Sequence, residues 1–299
     1  MADFALELDR VTVTFRSADI HEQGYTAVGD TTLRVRAGEF VSVVGPTGCG
    51  KSTLLNIAAG LLAPSSGDVR VFGQPLQGVN RRAGYMFQSE ALMPWRSAID
   101  NVMVGLQYRG SAEDDARREG QAWLERVGLG GFEDRYPHQL SGGMRKRTAL
   151  AQVLALDPDI ILMDEPFSAL DIQTRQLMEN EVLALWAGGE GRRAAPRPKP
   201  LTPSGGGREA SGGSHMKKKA VLFITHDLDE AIAMSDRVVV LSAGPATRPI
   251  GEFTIDLPRP RDVAEVRADS RFVQLHSEIW AVLRDEVLKG YAQQLKKAA

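Results

Sequence analysis

Gly45-Pro46-Thr47-Gly48-Cys49-Gly50-Lys51-Ser52-Thr53 decides how the rest of this chain is read. The apolar run Phe40-Val41-Ser42-Val43-Val44 precedes it and reads as a buried strand. Thr53-Leu54-Leu55-Asn56-Ile57-Ala58-Ala59 follows and reads as a helix. Strand, glycine-rich loop and helix together make a phosphate cradle. The glycines let the backbone turn tightly, so that consecutive N–H groups point at one anion. The positive end of the helix dipole adds to that field. Lys51 is then placed to reach β- and γ-phosphates, and the Ser52 hydroxyl to bind Mg²⁺.

The chain has 299 residues, enough for one large or two modest domains. Apolar residues make up 43%, enough to fill a core. The formal net charge of −2 gives no overall basic footprint, so no nucleic acid partner is expected. No window approaches the ~18 uninterrupted apolar residues of a membrane span. Met1-Ala2-Asp3-Phe4 has neither the basic nor the apolar region of an export signal, so export is not expected. The single cysteine, Cys49, excludes an internal disulfide and fits a reducing compartment. Its place before a helix N-terminus is one that lowers a thiol pKa, although a small loop residue without redox function is the favoured reading.

Working outward, residues 6–15 alternate as a half-exposed strand, and 31–36 and 68–72 read the same way. Ser97 to about Val127 reads as helical, with a capping box at Ser111-Ala112-Glu113-Asp114. A further helix is expected from Ser141 to about Leu156. Asp159-Ile160-Ile161-Leu162-Met163, Val221 to Ile224 and Val238 to Leu241 read as buried strands of a parallel sheet. Ile172 to Trp186 is amphipathic, with Met178, Val182, Leu185 and Trp186 on one face. The alternation implies an α/β core. Residues 188–219 break the pattern: they are rich in Gly, Pro, Ser and Arg and read as a disordered linker. Gly213-Ser214-His215-Met216 within it has the form of an expression-vector scar. The basic residues there, Arg192 to Lys219, read as a solvated loop rather than a lipid contact. The insertion enters the amino end of the strand at 221–225, away from the strand ends that carry ligands in parallel sheets.

Two more stretches carry chemistry. The strand at 159–163 ends in Asp164-Glu165-Pro166. Asp164 is placed to hold Mg²⁺ and Glu165 to polarise an attacking water as general base. Leu140-Ser141-Gly142-Gly143-Met144 opens a helix and offers a second anion cradle. One nucleotide needs only one cradle, so the simplest account gives this one to a nucleotide on another copy. An ordinary Ser N-cap is the alternative.

In this order the motifs resemble the nucleotide-binding subunit of an ABC transporter, over nearly all of the chain except 188–219. The resemblance implies a P-loop NTPase core of ABC type with an antiparallel β subdomain and an inserted α-helical subdomain. The core would span 1–90 and 157–260, the helical signature subdomain 91–156, and C-terminal amphipathic helices 261–299. Walker A would be Gly45, Pro46, Thr47, Gly48, Cys49, Gly50, Lys51, Ser52 and Thr53. The Q-loop would supply Gln88, contacting Mg²⁺ and the lytic water. The signature would supply Ser141, Gly142 and Gly143, with Met144 where the family usually has Gln. Walker B would give Asp164 and Glu165, the D-loop Ser168-Ala169-Leu170-Asp171, and the switch region His226 as a γ-phosphate contact. Phe15 matches the aromatic that stacks on adenine, with Tyr25 as a second candidate.

Leu92-Met93-Pro94-Trp95-Arg96-Ser97 resembles the importer subfamily for nitrate, sulfonate and taurine, and Ile255 to Arg261 followed by Arg271 to Trp280 does too. That tail reads as a short strand and then amphipathic helices, with packing on the core as its expected role. The resemblance implies an ATPase using ATP and Mg²⁺, working as a homodimer with ATP at its interface. It implies permease subunits contacted near Gln88–Gly110, with Trp95 as anchor, and an indirect periplasmic or extracellular solute-binding protein. The location would be the cytoplasmic face of the bacterial inner membrane. An exporter subunit, or a soluble ABC ATPase of DNA repair or translation, are the alternatives.

Overall fold

The computed structural model describes residues 3–16, 24–168, 170–187 and 218–298. The linker expected at 188–219 falls outside the described residues from 188 to 217.

Among the described residues, ten strands form two sheets. The first is antiparallel, ordered β2-β1-β4-β5 from β1 (Phe4–Phe15), β2 (Tyr25–Arg36), β4 (Ser66–Val71) and β5 (Gln74–Pro75). The second contains β3 (Phe40–Val44), β6 (Ala83–Met86), β7 (Ile160–Asp164), β8 (Ala220–Ile224), β9 (Arg237–Leu241) and β10 (Pro249–Thr254). Its order is β10-β9-β3-β8-β7-β6, parallel except for β10. Strands β3, β7 and β8 are buried at every position, which is why they carry continuous apolar runs.

The period of two sorts these strands onto two cores. Phe40, Val44, Ile161, Met163, Val221, Phe223, Val238 and Val240 face one cluster. Val41, Val43, Ile160, Leu162, Leu222, Ile224, Val239 and Leu241 face the other. The second cluster is closed by α1 (Lys51–Ala58) and the antiparallel sheet. The first is closed by α2 (Ala98–Tyr108), α3 (Glu113–Arg126), α4 (Gly142–Ala155), α5 (Ile172–Trp186), α6 (Leu228–Met234) and α7 (Ser270–Ala298). In α7, Phe272, Leu275, Ile279 and Leu283 recur at helical spacing and pack into that core.

Three local expectations are corrected. The helix expected over Ser97–Val127 is two helices, because the chain turns out of α2 after Tyr108, with Gly110 left-handed (φ +89). Gly110 N–H donates to Gln107 O (2.9 Å) and Ser111 N–H to Leu106 O (3.1 Å), a Schellman closure. That closure ties Ser111 to α2, so Ala112 becomes the N-cap of α3 with no side-chain bond, and the capping box is not made. The C-terminal strand falls at Pro249–Thr254, just before the Ile255–Arg261 segment expected to hold it. One helix follows it, with a single 3-10 turn at Val266–Ala268.

Trp186, at the end of α5, donates its indole N–H to Lys219 O (2.8 Å). Arg259 and Lys218 lie over its ring, at 4.2 and 4.8 Å from the centroid. The two described ends of the 188–217 gap are therefore held together.

Candidate active site

The sheet order sets the site. β3, β8, β7 and β6 are adjacent and parallel, so their carboxyl ends lie in a row. From that row come the 45–50 loop, His226, Asp164 with Glu165, and Gln88. Register refines this: Asp164 pairs with Ile224 and Met86 with Met163. Glu165 and His226 thus leave neighbouring strands one and two residues beyond a paired rung.

Three functional groups converge there. Gln88 Nε2 donates to Glu165 Oε2 at 3.2 Å. His226 Nδ1 lies 3.3 Å from the same oxygen. Glu165 adopts φ +46, a left-handed conformation that costs an L-residue about 1–2 kcal/mol. Its N–H donates to Ile224 O (2.9 Å) and its carbonyl accepts from Ser168 Oγ (3.0 Å), which hold it there. A carboxylate fixed in this way, between an amide and an imidazole, can draw a proton from a water molecule.

The glycine-rich loop behaves as its sequence predicts. Gly48 (φ +75) and Gly50 (φ +104) take conformations that a side chain would strain. A Cβ on Gly50 would also lie 3.2 Å from Ala27 O, because β2 runs beside the loop. Lys51 is buried, and its ammonium donates to Gly45 O (2.9 Å) and Pro46 O (3.0 Å). Thr47 and Cys49 complete the loop, and Ser52 and Thr53 lie in the first turn of α1. Phe15 and Tyr25 form one cross-strand rung of β1 and β2, and both rings are exposed. A Cβ on Gly244 would meet Tyr25 Oη at 3.3 Å and Cys49 Cα at 3.8 Å, so this rung lies on the loop's side of the molecule.

Cys49 is the small loop residue of the favoured reading. It is buried, and desolvation raises its thiol pKa despite the opposing Lys51 charge and backbone N–H groups. The helix terminus does not make it a reactive thiolate.

Burial also raises the Asp164 pKa, and Glu165 adds to the rise. A hydrogen bond from Ser52 and the charges of Lys51 and Lys146 oppose it. A buried carboxylate bonded to a hydroxyl, with a second carboxylate close by, suits a hard cation. Among the described residues, no cluster of three His, Cys, Asp or Glu side chains could hold a metal ion. Mg²⁺ characteristically combines one or two carboxylates with substrate phosphates, so Ser52 and Asp164, which a hydrogen bond brings together, fit it.

The second cradle stands at the start of α4. Ser141 is its N-cap and accepts from Met144 N (3.2 Å); Gly142 and Gly143 are its first residues, and no acid follows in the first turn. Met144 is partly buried against the core. Asp171 caps α5, accepting from Thr174 N (3.0 Å), and that bonding lowers its carboxyl pKa. α4 packs in one core cluster and α1 in the other, so the two cradles belong to opposite layers of one chain.

Several contributing residues escaped the sequence reading. Asn101 is 0% exposed; Nδ2 donates to Met93 O, Arg96 O and Ser97 O (2.9–3.2 Å), and Oδ1 accepts from Met93 N (2.7 Å). It shapes the loop that presents Trp95, whose ring is 74% exposed. An amide amid the apolar face Ala98, Ile99, Val102 and Met103 was the available signal. Arg175 on α5 donates to Leu170 O (3.3 Å) and Asp227 Oδ2 (3.4 Å), joining the turn before α5 to the loop that carries His226. Thr225 Oγ1 donates to Glu230 Oε2 (2.6 Å) and accepts from Asp227 N (3.0 Å), which frames His226 from both sides.

A family model described as ABC transporter matches residues 28–168. An uncharacterised ABC transporter ATP-binding protein of Methanocaldococcus jannaschii is 42% identical over 265 residues, 88% of this chain and 86% of that one. The taurine import ATP-binding protein TauB of Yersinia pestis is 39% identical over 223 residues, 75% of this chain and 76% of its own. The nitrate import ATP-binding protein NrtD of Synechococcus elongatus is 38% identical over 257 residues, 85% and 83% of the two chains. Among solved structures, a dimeric ATP-binding cassette in a post-hydrolysis state with ADP and Pi superposes with a TM-score of 0.68. It is 27% identical and covers 85% of this chain and 100% of its own.

Proposed function

Because this chain belongs to the ABC transporter ATP-binding family, we propose that it is the ATP-hydrolysing subunit of an importer for a small solute of the nitrate, sulfonate or taurine kind. The observation that carries the reading is the convergence of Gln88 and His226 on one oxygen of Glu165. The importer branch rests on the taurine and nitrate import relatives. The division of labour is a core of 1–90 and 157–260, a helical signature subdomain of 91–156, and a C-terminal helix beyond 261.

The active unit is a homodimer. Each ATP lies between the 45–53 loop of one copy and Ser141, Gly142 and Gly143 of the other. Dimeric relatives support this, as does the placement of the two cradles in opposite layers. Phe15 or Tyr25 stacks on the adenine. Lys51 leaves its two loop carbonyls for the β- and γ-phosphates. Glu165 takes the proton from the attacking water, while Gln88 and His226 fix the carboxylate and His226 reaches the γ-phosphate. Ser52, Asp164 and Gln88 would hold Mg²⁺, which when bound supplies positive charge to the phosphate oxygens. ATP favours the closed dimer and thereby drives the permease into its other state. The permease contacts the segment from Gln88 to Gly110, with Trp95 as anchor. The subunit works at the cytoplasmic face of the membrane; no described helix is long and apolar enough to cross it. A separate solute-binding protein delivers the solute.

Glu165→Gln tests the site. Loss of a general base lowers turnover by about 10²–10⁴-fold, with ATP binding retained. Near-parental turnover would dismiss Glu165 as the base. Recovery of a multi-span permease with the chain from native membranes tests the importer reading; recovery of soluble partners alone would sink it.

A further inference from the structure

Arg145, Lys146 and Arg147 follow the signature cradle, and each donates to a different stretch of backbone. Arg145 Nη1 donates to Leu140 O (2.9 Å), and Arg147 Nη1 donates to Val127 O (2.9 Å) and Gly128 O (3.1 Å). These three bonds stay within the 97–156 stretch, although Arg145 Nε also lies 3.9 Å from Glu90 Oε2. Lys146 reaches out of it: its ammonium donates to Gln88 O, 58 residues earlier in the chain. The residue is only 3% exposed. Glu90, Asp164 and Glu165 all lie within electrostatic reach of its charge.

Gln88 is therefore held at both ends. Its carbonyl is bound to α4 through Lys146, and its side chain is bound to Glu165. Lys146 lies five residues along α4 from Ser141, about 7.5 Å at helical rise. One rigid helix thus carries the anion cradle at its tip and the Gln88 tether one and a half turns later.

We propose that Lys146 is a positioning residue that couples the two ATP sites of the dimer. When a chain's signature cradle engages the partner's ATP, α4 shifts. Lys146 passes that shift to Gln88, which sets the Glu165 carboxylate at the chain's own ATP. Each site then hydrolyses in step with occupancy of the other. The inference rests on the sandwich-dimer reading above, because only there do one chain's cradle and its base serve different nucleotides.

The test compares full-length Lys146→Met and Lys146→Arg with the parent. Methionine keeps an unbranched side chain of similar length and donates nothing; arginine restores a donor. Steady-state Mg-ATP hydrolysis is measured against ATP concentration. For the parent, a Hill coefficient clearly above ~1 is expected, as for two coupled sites. For Lys146→Met we expect KM within about threefold, kcat lower by about tenfold or more, and a Hill coefficient near ~1. Lys146→Arg should recover most of kcat and the cooperativity. Parental kinetics in the Met variant would overturn the proposal, as would a non-cooperative parent. Equal impairment of folded Met and Arg variants would also overturn it, by reducing Lys146 to a packing role. Light scattering of Glu165→Gln with ATP tests the dimer separately. Without ATP-dependent dimers both readings fall; with them, a kinetic failure removes the coupling alone.

Discussion

Asn101→Ala would remove the polar centre of the loop that presents Trp95. The side chain satisfies three carbonyls and one N–H from residues 93–97 and is itself fully buried. Two amide protons serve three carbonyls, so roughly three good bonds are lost in all. At about 1 kcal/mol each, with a further penalty for the stranded Met93 N–H, the cost comes to about 3–4 kcal/mol. For a chain of 299 residues that lowers the melting temperature by roughly 5–6 °C. Because the loop lies outside the row of strand ends, ATP affinity should stay within a few-fold of parental. Differential scanning calorimetry with and without Mg-ATP measures the first effect. Hydrogen exchange of the amides at 93, 96 and 97 shows whether the damage starts in the loop. Permease co-purification should fall, as it should for Trp95→Ala, which leaves the melting temperature nearly unchanged. A loss below about 0.5 kcal/mol with unaltered exchange would refute the assignment of Asn101 as the organiser of this loop.

Two further outcomes are expected. Glu179 is fully buried, and both its carboxyl oxygens lack a hydrogen-bond partner among the described residues. Burial, reinforced by Glu230, pushes its pKa from 4.5 up to about 8, against the charges of Arg267 and Arg175. The folded value lies above the unfolded one, so folding takes up a proton between these limits. Stability from this group is complete below about pH 4.5 and is lost as pH rises towards 8. Glu179→Gln should therefore gain on the parent as pH rises from 6 to 9 in urea titrations, and a constant difference would count against the buried acid. Deleting 189–217 should leave basal ATP hydrolysis within a few-fold, since Trp186 and Lys219 already hold the flanks together. Collapse of activity in a folded deletion variant would show that the segment reaches the site.

Much of this architecture was legible because the relevant signals are local. The 45–53 loop, the continuous apolar strands and the acidic end of β7 each declare themselves within a short window. The meeting of Gln88, Glu165 and His226 is set by register between strands, which no window contains; the resemblance to a family supplied the roles but not the distances. Lys146 illustrates the harder case. Nothing in the sequence of Arg145-Lys146-Arg147 assigns these cations partners, yet each donates to a carbonyl that only the folded chain brings near. Cys49 stays an ordinary buried thiol for an energetic reason, since the cost of burying a thiolate exceeds the stabilisation from the helix terminus and Lys51. Ser111 failed for a competitive one: its N–H was already committed to closing α2.

The clasp of Trp186 on Lys219 has a practical consequence. Once two ends of a chain are pinned, lengthening the segment between them costs only about 0.6 kcal/mol per doubling. The surface between α5 and β8 is thus a natural port for foreign sequence, on the far side of the sheet ends from the chemistry. A fluorescent protein or affinity peptide grafted there would report on the working subunit while leaving both termini free.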